Sequence, residues 1–287
     1  METIKQMTIA LFITMGLLLL HGCTEHPFDK SEITGGNRQI QGNLTLSDKM
    51  APDGVYVWFE SFDISTNTDR DGQFMIHLPH PDVQGTPGGT TGVFKLYFYI
   101  ANYKLASARA VVRNGEFIFS EGDFDENGVM NSTRSLLKIL HVSTSVEPDS
   151  VLADYEGRLD IKITLQALFD TVTVIFPKIM GGTPGAVLFR RLGYGDIFVD
   201  LSDNNDNALT VERIGPETYD LYMVFDMRHG ALPVGRYEVI PYFLIEQENM
   251  PYGLLESLSP NAEALGPDYL KIPFKRKGGF LEVFQNY

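Results

Sequence analysis

From Ile40 onward, apolar side chains recur at every second position. Leu44 and Leu46 follow Ile40; Val55, Val57 and Phe59 alternate with Tyr56 and Trp58; Phe74, Ile76 and Leu78 come next. Period two with β-branched and aromatic enrichment predicts strands. Turn residues separate them: Pro52-Asp53-Gly54, Asp71-Gly72, and the Gly/Pro-rich loop 80–92. Strands are predicted again at 93–100, 108–112 and 116–119. The second half repeats the pattern at 159–165, 171–176, 186–189, 196–201, 219–225, 236–245 and 280–284, with turn clusters at 180–185 and 202–207. The one short helix expected is Ser132–His141 (STRSLLKILH), with Ser132 as its N-cap. Strands this short at this spacing predict an all-β protein of two tandem sandwiches, over 39–140 and 141–287, folding separately and meeting near 140–157.

The N-terminus follows a different pattern. Residues 8–20 (TIALFITMGLLLL) form an uncharged, mostly apolar run. A relaxed transmembrane helix needs about 20 residues, so this run suits the apolar region of a signal peptide instead. Behind it stands Leu20-His21-Gly22-Cys23, which resembles a bacterial lipobox: an aliphatic residue, a small residue at the cut, then cysteine. His21 departs from the small residue usual at its position. The resemblance implies a signal peptide over 1–22 and a mature chain anchored in the lipid bilayer through acylated Cys23. Each buried methylene contributes about 0.8 kcal/mol, so two or three acyl chains make a stable anchor where one is marginal. Thr24 after the cysteine, rather than aspartate, points by analogy with lipoprotein sorting to the outer membrane. Residues 23–38 are polar, carry Pro27, Gly35 and Gly36, and read as a flexible tether reaching roughly 50 Å when extended.

Cys23 is the only cysteine of the 287 residues, so no disulfide can staple the fold. Hydrophobic residues at 44% and charged residues at 21% describe a globular chain. The formal net charge of -14 repels phosphate backbones, which disfavours nucleic acid as a partner. The one basic cluster, Lys271, Lys275, Arg276 and Lys277, reads as a solvated strand edge that discourages strand pairing.

Three stretches carry a resemblance. Gln41-Gly42-Asn43-Leu44-Thr45-Leu46, then Gly54-Val55-Tyr56-Val57-Trp58-Phe59, then Thr66-Asn67-Thr68-Asp69-Arg70-Asp71-Gly72-Gln73-Phe74-Met75-Ile76 together resemble the carboxypeptidase regulatory-like domain. The likeness covers roughly residues 39–119. It implies a small transthyretin-like sandwich with a "T-D-x-x-G-x-F-x-I" hairpin, and a supporting or binding role rather than peptidase activity. Leu232-Pro233-Val234-Gly235-Arg236-Tyr237-Glu238-Val239 is loosely similar to the late-strand entry of immunoglobulin-like domains.

The side-chain chemistry offers candidates for binding rather than catalysis. There is no Gly-x-Ser-x-Gly elbow, and Cys23 is committed to lipid. His77 and His80 form a His-x-x-His pair with Asp82 nearby, but Pro79 and Pro81 place it at a strand end entering a loop and no third ligand is in view. Asp123-Phe124-Asp125-Glu126-Asn127-Gly128 offers a better metal site. Oxygen ligands on alternate residues (Asp123, Asp125, Asn127), followed by glycine, match the first half of a calcium loop, although the twelfth position is Arg134 where an EF-hand needs glutamate. An ordinary Asp/Asn/Gly turn reads the same way, and 203–207 is a weaker version of it. Trp58 and Leu96-Tyr97-Phe98-Tyr99 are candidate sugar platforms, yet alternation buries half of those rings. The functional expectation is therefore a non-catalytic, membrane-anchored envelope lipoprotein that binds a protein, glycan or envelope component. The alternative is a carbohydrate-active hydrolase, which needs two carboxylates about 5 to 10 Å apart in one cleft with one desolvated.

Overall fold

The computed structural model describes residues 37–179, 184–201, 205–228 and 231–285. The leader, Cys23 and the tether up to residue 36 lie outside the described residues, as do residues 203 and 204 of the 203–207 run, whose remainder opens a strand at Asn205–Ile214. Residues Arg38–Tyr287 form one compact, all-β unit.

Its first part is a sandwich of two sheets. Strands β1 (Gln39–Leu46), β4 (Gln73–His77) and β8 (Arg134–Leu136) form the smaller sheet in the order β4-β1-β8. Strands β2 (Tyr56–Phe59), β3 (Ile64–Asn67), β5 (Gly92–Tyr99), β6 (Ala106–Arg113) and β7 (Glu116–Phe117) form the larger, ordered β3-β2-β5-β6-β7. Between them Ile40, Leu44, Phe74, Ile76, Val57, Phe59, Leu96 and Phe98 pack into one buried core. The segment expected as a hairpin around Asp71-Gly72 is instead a crossing between sheets: β3 pairs with β2, and β4 with β1. Gly72 has φ +80°, and a Cβ there would stand 2.1 Å from the Leu44 carbonyl oxygen. Asp69 completes the turn by accepting the amides of Asp71 and Gln73 at 3.0 and 2.9 Å.

The second part closes a larger core with three sheets. Strands β9 (Leu140–Glu147), β11 (Gly157–Ala167), β16 (Tyr219–Met227) and β19 (Lys277–Gly278) run in the order β16-β11-β9-β19. Strands β10 (Ser150–Leu152), β13 (Ala186–Arg191), β14 (Ile197–Leu201), β17 (Gly235–Pro241) and β20 (Phe280–Phe284) run β10-β20-β17-β13-β14. The third sheet is β15-β12-β18, from β12 (Val172–Ile179), β15 (Asn205–Ile214) and β18 (Leu244–Ile245). Leu159, Ile161, Ile163, Val174, Phe176, Phe189, Tyr237 and Leu281 are buried among them.

A third core joins the two sandwiches. On β2 and β5 the inward residues belong to the first core, and the alternate residues Tyr56, Trp58, Tyr97 and Tyr99 are buried too. They meet Ala186 and Leu188 of β13, Ile240 of β17, and Tyr242. The space between is filled by residues 246–276, which carry a short helix α1 (Leu254–Leu258) and a 3-10 turn at Pro267–Lys271, through Leu254, Ala262, Tyr269 and Ile272. Fully burying a large apolar side chain stabilises by about 1.5–3 kcal/mol, so this cluster is a major part of the fold's stability. Polar groups fix its register. Tyr269 donates to the Phe243 carbonyl at 2.7 Å and accepts from Arg276 at 2.9 Å. Burial pushes the Tyr242 phenol up to about 12, which keeps it a neutral donor to the Glu263 carbonyl.

Asn102, fully buried, stitches the chain crossing. Its amide donates to the carbonyls of Leu140 (3.1 Å) and Lys275 (2.9 Å), its side-chain oxygen accepts the Lys275 amide (3.1 Å), and its own carbonyl accepts the amides of Ile139 and Leu140.

The expected helix at 132–141 is replaced by β8, an isolated bridge at Lys138 and the start of β9. The reason is a buried charge. Leu136, Lys138, Leu140 and Val142 all point inward, a period of two that Lys138 conceals in the sequence. Its ammonium donates to Asp48 at 2.9 Å, and Tyr103 donates to the same carboxylate oxygen at 2.8 Å. Burial raises the Asp48 carboxyl, but the hydrogen bonds from Lys138, Tyr103 and the Met50 amide outweigh it and hold the group below 3.8.

Two outcomes follow from this wiring. Asn102→Ala leaves three backbone groups without partners and is expected to destabilise the protein by several kcal/mol in urea titration. Asp48→Asn strands the Lys138 ammonium and is expected to cost on the order of 3 kcal/mol at neutral pH. Because the folded carboxyl titrates below its unfolded value, its stabilisation is present above pH 3.8 and is lost as pH falls through the folded pKa. Wild type and Asp48→Asn should therefore converge in stability in that acid range, read from urea midpoints at successive pH values.

Candidate binding cleft

The residues singled out by sequence fall in separate places. Asp123, Asp125 and Asn127 occupy a tight turn beside the end of the first sandwich. Asp125 accepts the amides of Asn127 and Val129, both at 2.9 Å, and its own amide reaches the Val129 carbonyl. Asp123 accepts the Arg109 amide at 2.8 Å and pairs with Arg134 at 3.3 Å. Arg134, which occupies the position an EF-hand reserves for glutamate, is thus a cationic partner for Asp123. His80 pairs with Asp82 at 3.1 Å on the exposed loop, while His77 ends β4 with its side chain exposed. Among the described residues no three His, Cys, Asp or Glu side chains gather as a metal site.

The aromatic candidates are withdrawn from solvent. Trp58 is 6% exposed and Tyr97 8%, their rings stacked with centroids 6.0 Å apart. Both sets of rings on β2 and β5 are buried, one in each core, where sequence reasoning expected only half. The basic cluster also serves the junction. Lys275 pairs with Asp53 at 2.7 Å, and the Arg276 guanidinium lies 4.0 Å from the Phe274 ring centre. Lys271 pairs with Asp268 at 2.8 Å, and Lys277 alone is on a sheet edge.

What the packing leaves open is a cleft of about 630 Å³ lined by both sandwiches, a volume typical of ligand sites. One wall is the first sandwich: Lys95 and Tyr97 of β5, and Lys104 to Ser107 leading into β6. The opposite wall is Phe169 to Thr173, the turn between β11 and β12, with the strap Glu246–Asn249. Gln247 fastens that strap across the junction. Its amide donates to the carbonyls of Ala101 (2.7 Å) and Tyr103 (2.8 Å), and its oxygen accepts the Leu105 amide (3.0 Å). The Glu246 amide donates to Thr173 at 3.0 Å, holding the strap to β12. Burial and the neighbouring Glu60 carboxylate push the Tyr97 phenol above 10.0, so it stays neutral at physiological pH. Phe169, 67% exposed, stands at the rim with Asp170, Glu246 and Glu248, all exposed carboxylates. Of these cleft residues only Tyr97 was singled out by sequence, as part of a candidate sugar platform; for the opposite wall the one signal was the Phe169-Asp170-Thr171 turn between two strands.

No protein-family model and no curated protein matches the chain. Among solved structures it is similar to the Bacillus anthracis TIE protein, at 7% identity and a TM-score of 0.23 over 88% of this chain. The chain spans about half, 51%, of the length of that protein. A likeness at that level carries no argument about function. No helix among the described residues is long and apolar enough to cross a membrane.

With Asp123 and Asp125 already engaged, melting temperatures in millimolar calcium and in chelator are expected to coincide for the wild type. Asp125→Ala removes two backbone partners and should lower stability by about 1–3 kcal/mol equally in both buffers. A calcium-dependent rise abolished by joint Asp123→Asn and Asp125→Asn would instead make the turn a metal site.

Proposed function

We propose that this chain is a non-catalytic, membrane-anchored envelope lipoprotein that acts as a rigid binding or structural module for a protein, glycan or envelope component. The observation that carries the reading is the shared third core. It locks the two sandwiches into one body and leaves a cleft to which both contribute, as suits a receptor surface of fixed shape. A fixed surface binds without the ordering cost a flexible one incurs. The Leu20-His21-Gly22-Cys23 sequence behind an apolar run supports the lipid anchor. The likeness of residues 39–119 to the carboxypeptidase regulatory-like domain supports a supporting role over catalysis. The alternative hydrolase requires a desolvated carboxylic acid in the cleft, and Asp170, Glu246 and Glu248 are exposed.

The anchor is tested by intact-mass analysis and membrane fractionation of wild type and Cys23→Ser. Wild type should carry acyl mass at Cys23 and partition with the outer membrane, and Cys23→Ser should be unprocessed or soluble. A wild-type chain with an unmodified N-terminus elsewhere overturns the reading.

A further inference from the structure

The cleft wall formed by β6 is an unfinished sheet edge. Along β6 the backbone groups of odd-numbered residues face away from β5. The Val111 and Arg109 carbonyls accept the amides of Ile118 (2.7 Å) and Asp123 (2.9 Å). The Arg109 amide donates to the Asp123 carboxylate at 2.8 Å, and the Leu105 amide to Gln247 at 3.0 Å. This edge is therefore capped at both ends, by β7 with the 118–123 segment and by the strap. Between the caps lies Ser107. It faces the Tyr97 position across β5, so its N–H and C=O point outward by the alternation of an antiparallel ladder. Ser107 is exposed and lines the cleft, and no strand among the described residues pairs with it on that side, since β7 reaches only Val112 and Arg113.

An outward donor and acceptor pair in a cleft is the complement of an extended main chain, which presents the same pair in reverse. A strand added there would turn alternate side chains toward the opposite wall, where Asp170, Glu246 and Glu248 supply negative charge and Phe169 an exposed ring. Lys95 and Lys104 belong to the first sandwich's own wall, and the Lys95 ammonium lies 5.9 Å from the Tyr97 ring centre. Building on the binding-module reading above, we propose that Ser107 is the docking point for an extended peptide of a partner protein, which adds as a short β-strand to β6 and directs basic and apolar side chains at alternate positions toward Asp170, Glu246, Glu248 and Phe169.

The test uses the full acylated chain in detergent, panned against a phage-displayed random peptide library. Enriched peptides are synthesised and their binding is measured by calorimetry. The proposal expects enriched sequences that alternate basic or apolar residues. Ser107→Pro, which removes the outward N–H and leaves the β5 ladder intact, should weaken binding by about tenfold or more, while Ser107→Ala, which keeps the N–H, binds as wild type. Both variants are checked by thermal melting. Should Ser107→Pro not fold, hydrogen exchange on the wild type replaces it, and the Ser107 amide should become protected when peptide is added. Failure to enrich any sequence overturns the proposal, as does equal binding by a folded Ser107→Pro or unchanged exchange at Ser107. Retardation of the chain in native gels containing soluble polysaccharide, abolished by Phe169→Ala, with no peptide bound, would assign the cleft to glycan instead. Acylation at Cys23 is read separately by mass, so failure here is distinguishable from failure of the lipoprotein reading.

Discussion

The structure depends on burying both faces of the β2–β5 strand pair. One face, through Val57, Phe59, Leu96 and Phe98, closes the first sandwich. The other, through Tyr56, Trp58, Tyr97 and Tyr99, has to be covered from outside that sandwich. A sheet face carrying four large aromatic rings would be a wide apolar patch if left in water. The chain covers it with the outer faces of β13 and β17 and with residues 246–276. That single requirement explains the long excursion between β18 and β19, which contains α1, the only α-helix among the described residues, and forms no strand of either sandwich.

Burial sets how strongly the halves adhere, and polar groups set where. An apolar contact is non-directional, so register must come from hydrogen bonds. Asn102 supplies five, linking the β5–β6 connection to β9 and to Lys275. Gln247 supplies three more from the opposite direction. Tyr56 meets Ser257 at 2.9 Å on the strap side of the junction. These bonds hold the strap and the β5–β6 connection that line the cleft, so the arrangement of the core determines the shape of that surface.

Many of the strands were legible in the sequence, since alternation of the 159–165 kind has only one structural reading, but β9 (Leu140–Glu147) and β15 (Asn205–Ile214) were not expected as strands. Two further things were not legible. At 132–141 the inward position held by Lys138 broke the alternation, and its partner Asp48 lies ninety residues earlier, beyond the reach of any local pattern. The second was the junction. Val55 to Phe59 and Leu96 to Ala101 are unbroken apolar runs, the signature of strands buried on both faces. That signature says a second cover exists without saying what provides it. The cleft follows from the junction, and its residues, chiefly loop and strap, carry no periodicity of their own.

The chain's only tryptophan, Trp58, lies within the third core and reports on it directly. Urea unfolding followed in parallel by its fluorescence and by far-ultraviolet circular dichroism therefore tests whether the halves form one cooperative body. The structure predicts blue-shifted native emission shielded from a soluble quencher, and a red shift whose midpoint coincides with loss of the β signal. Emission that is exposed in the native protein, or that shifts at a urea concentration well below the loss of β structure, would show that the sandwiches part while still folded and would contradict the shared core.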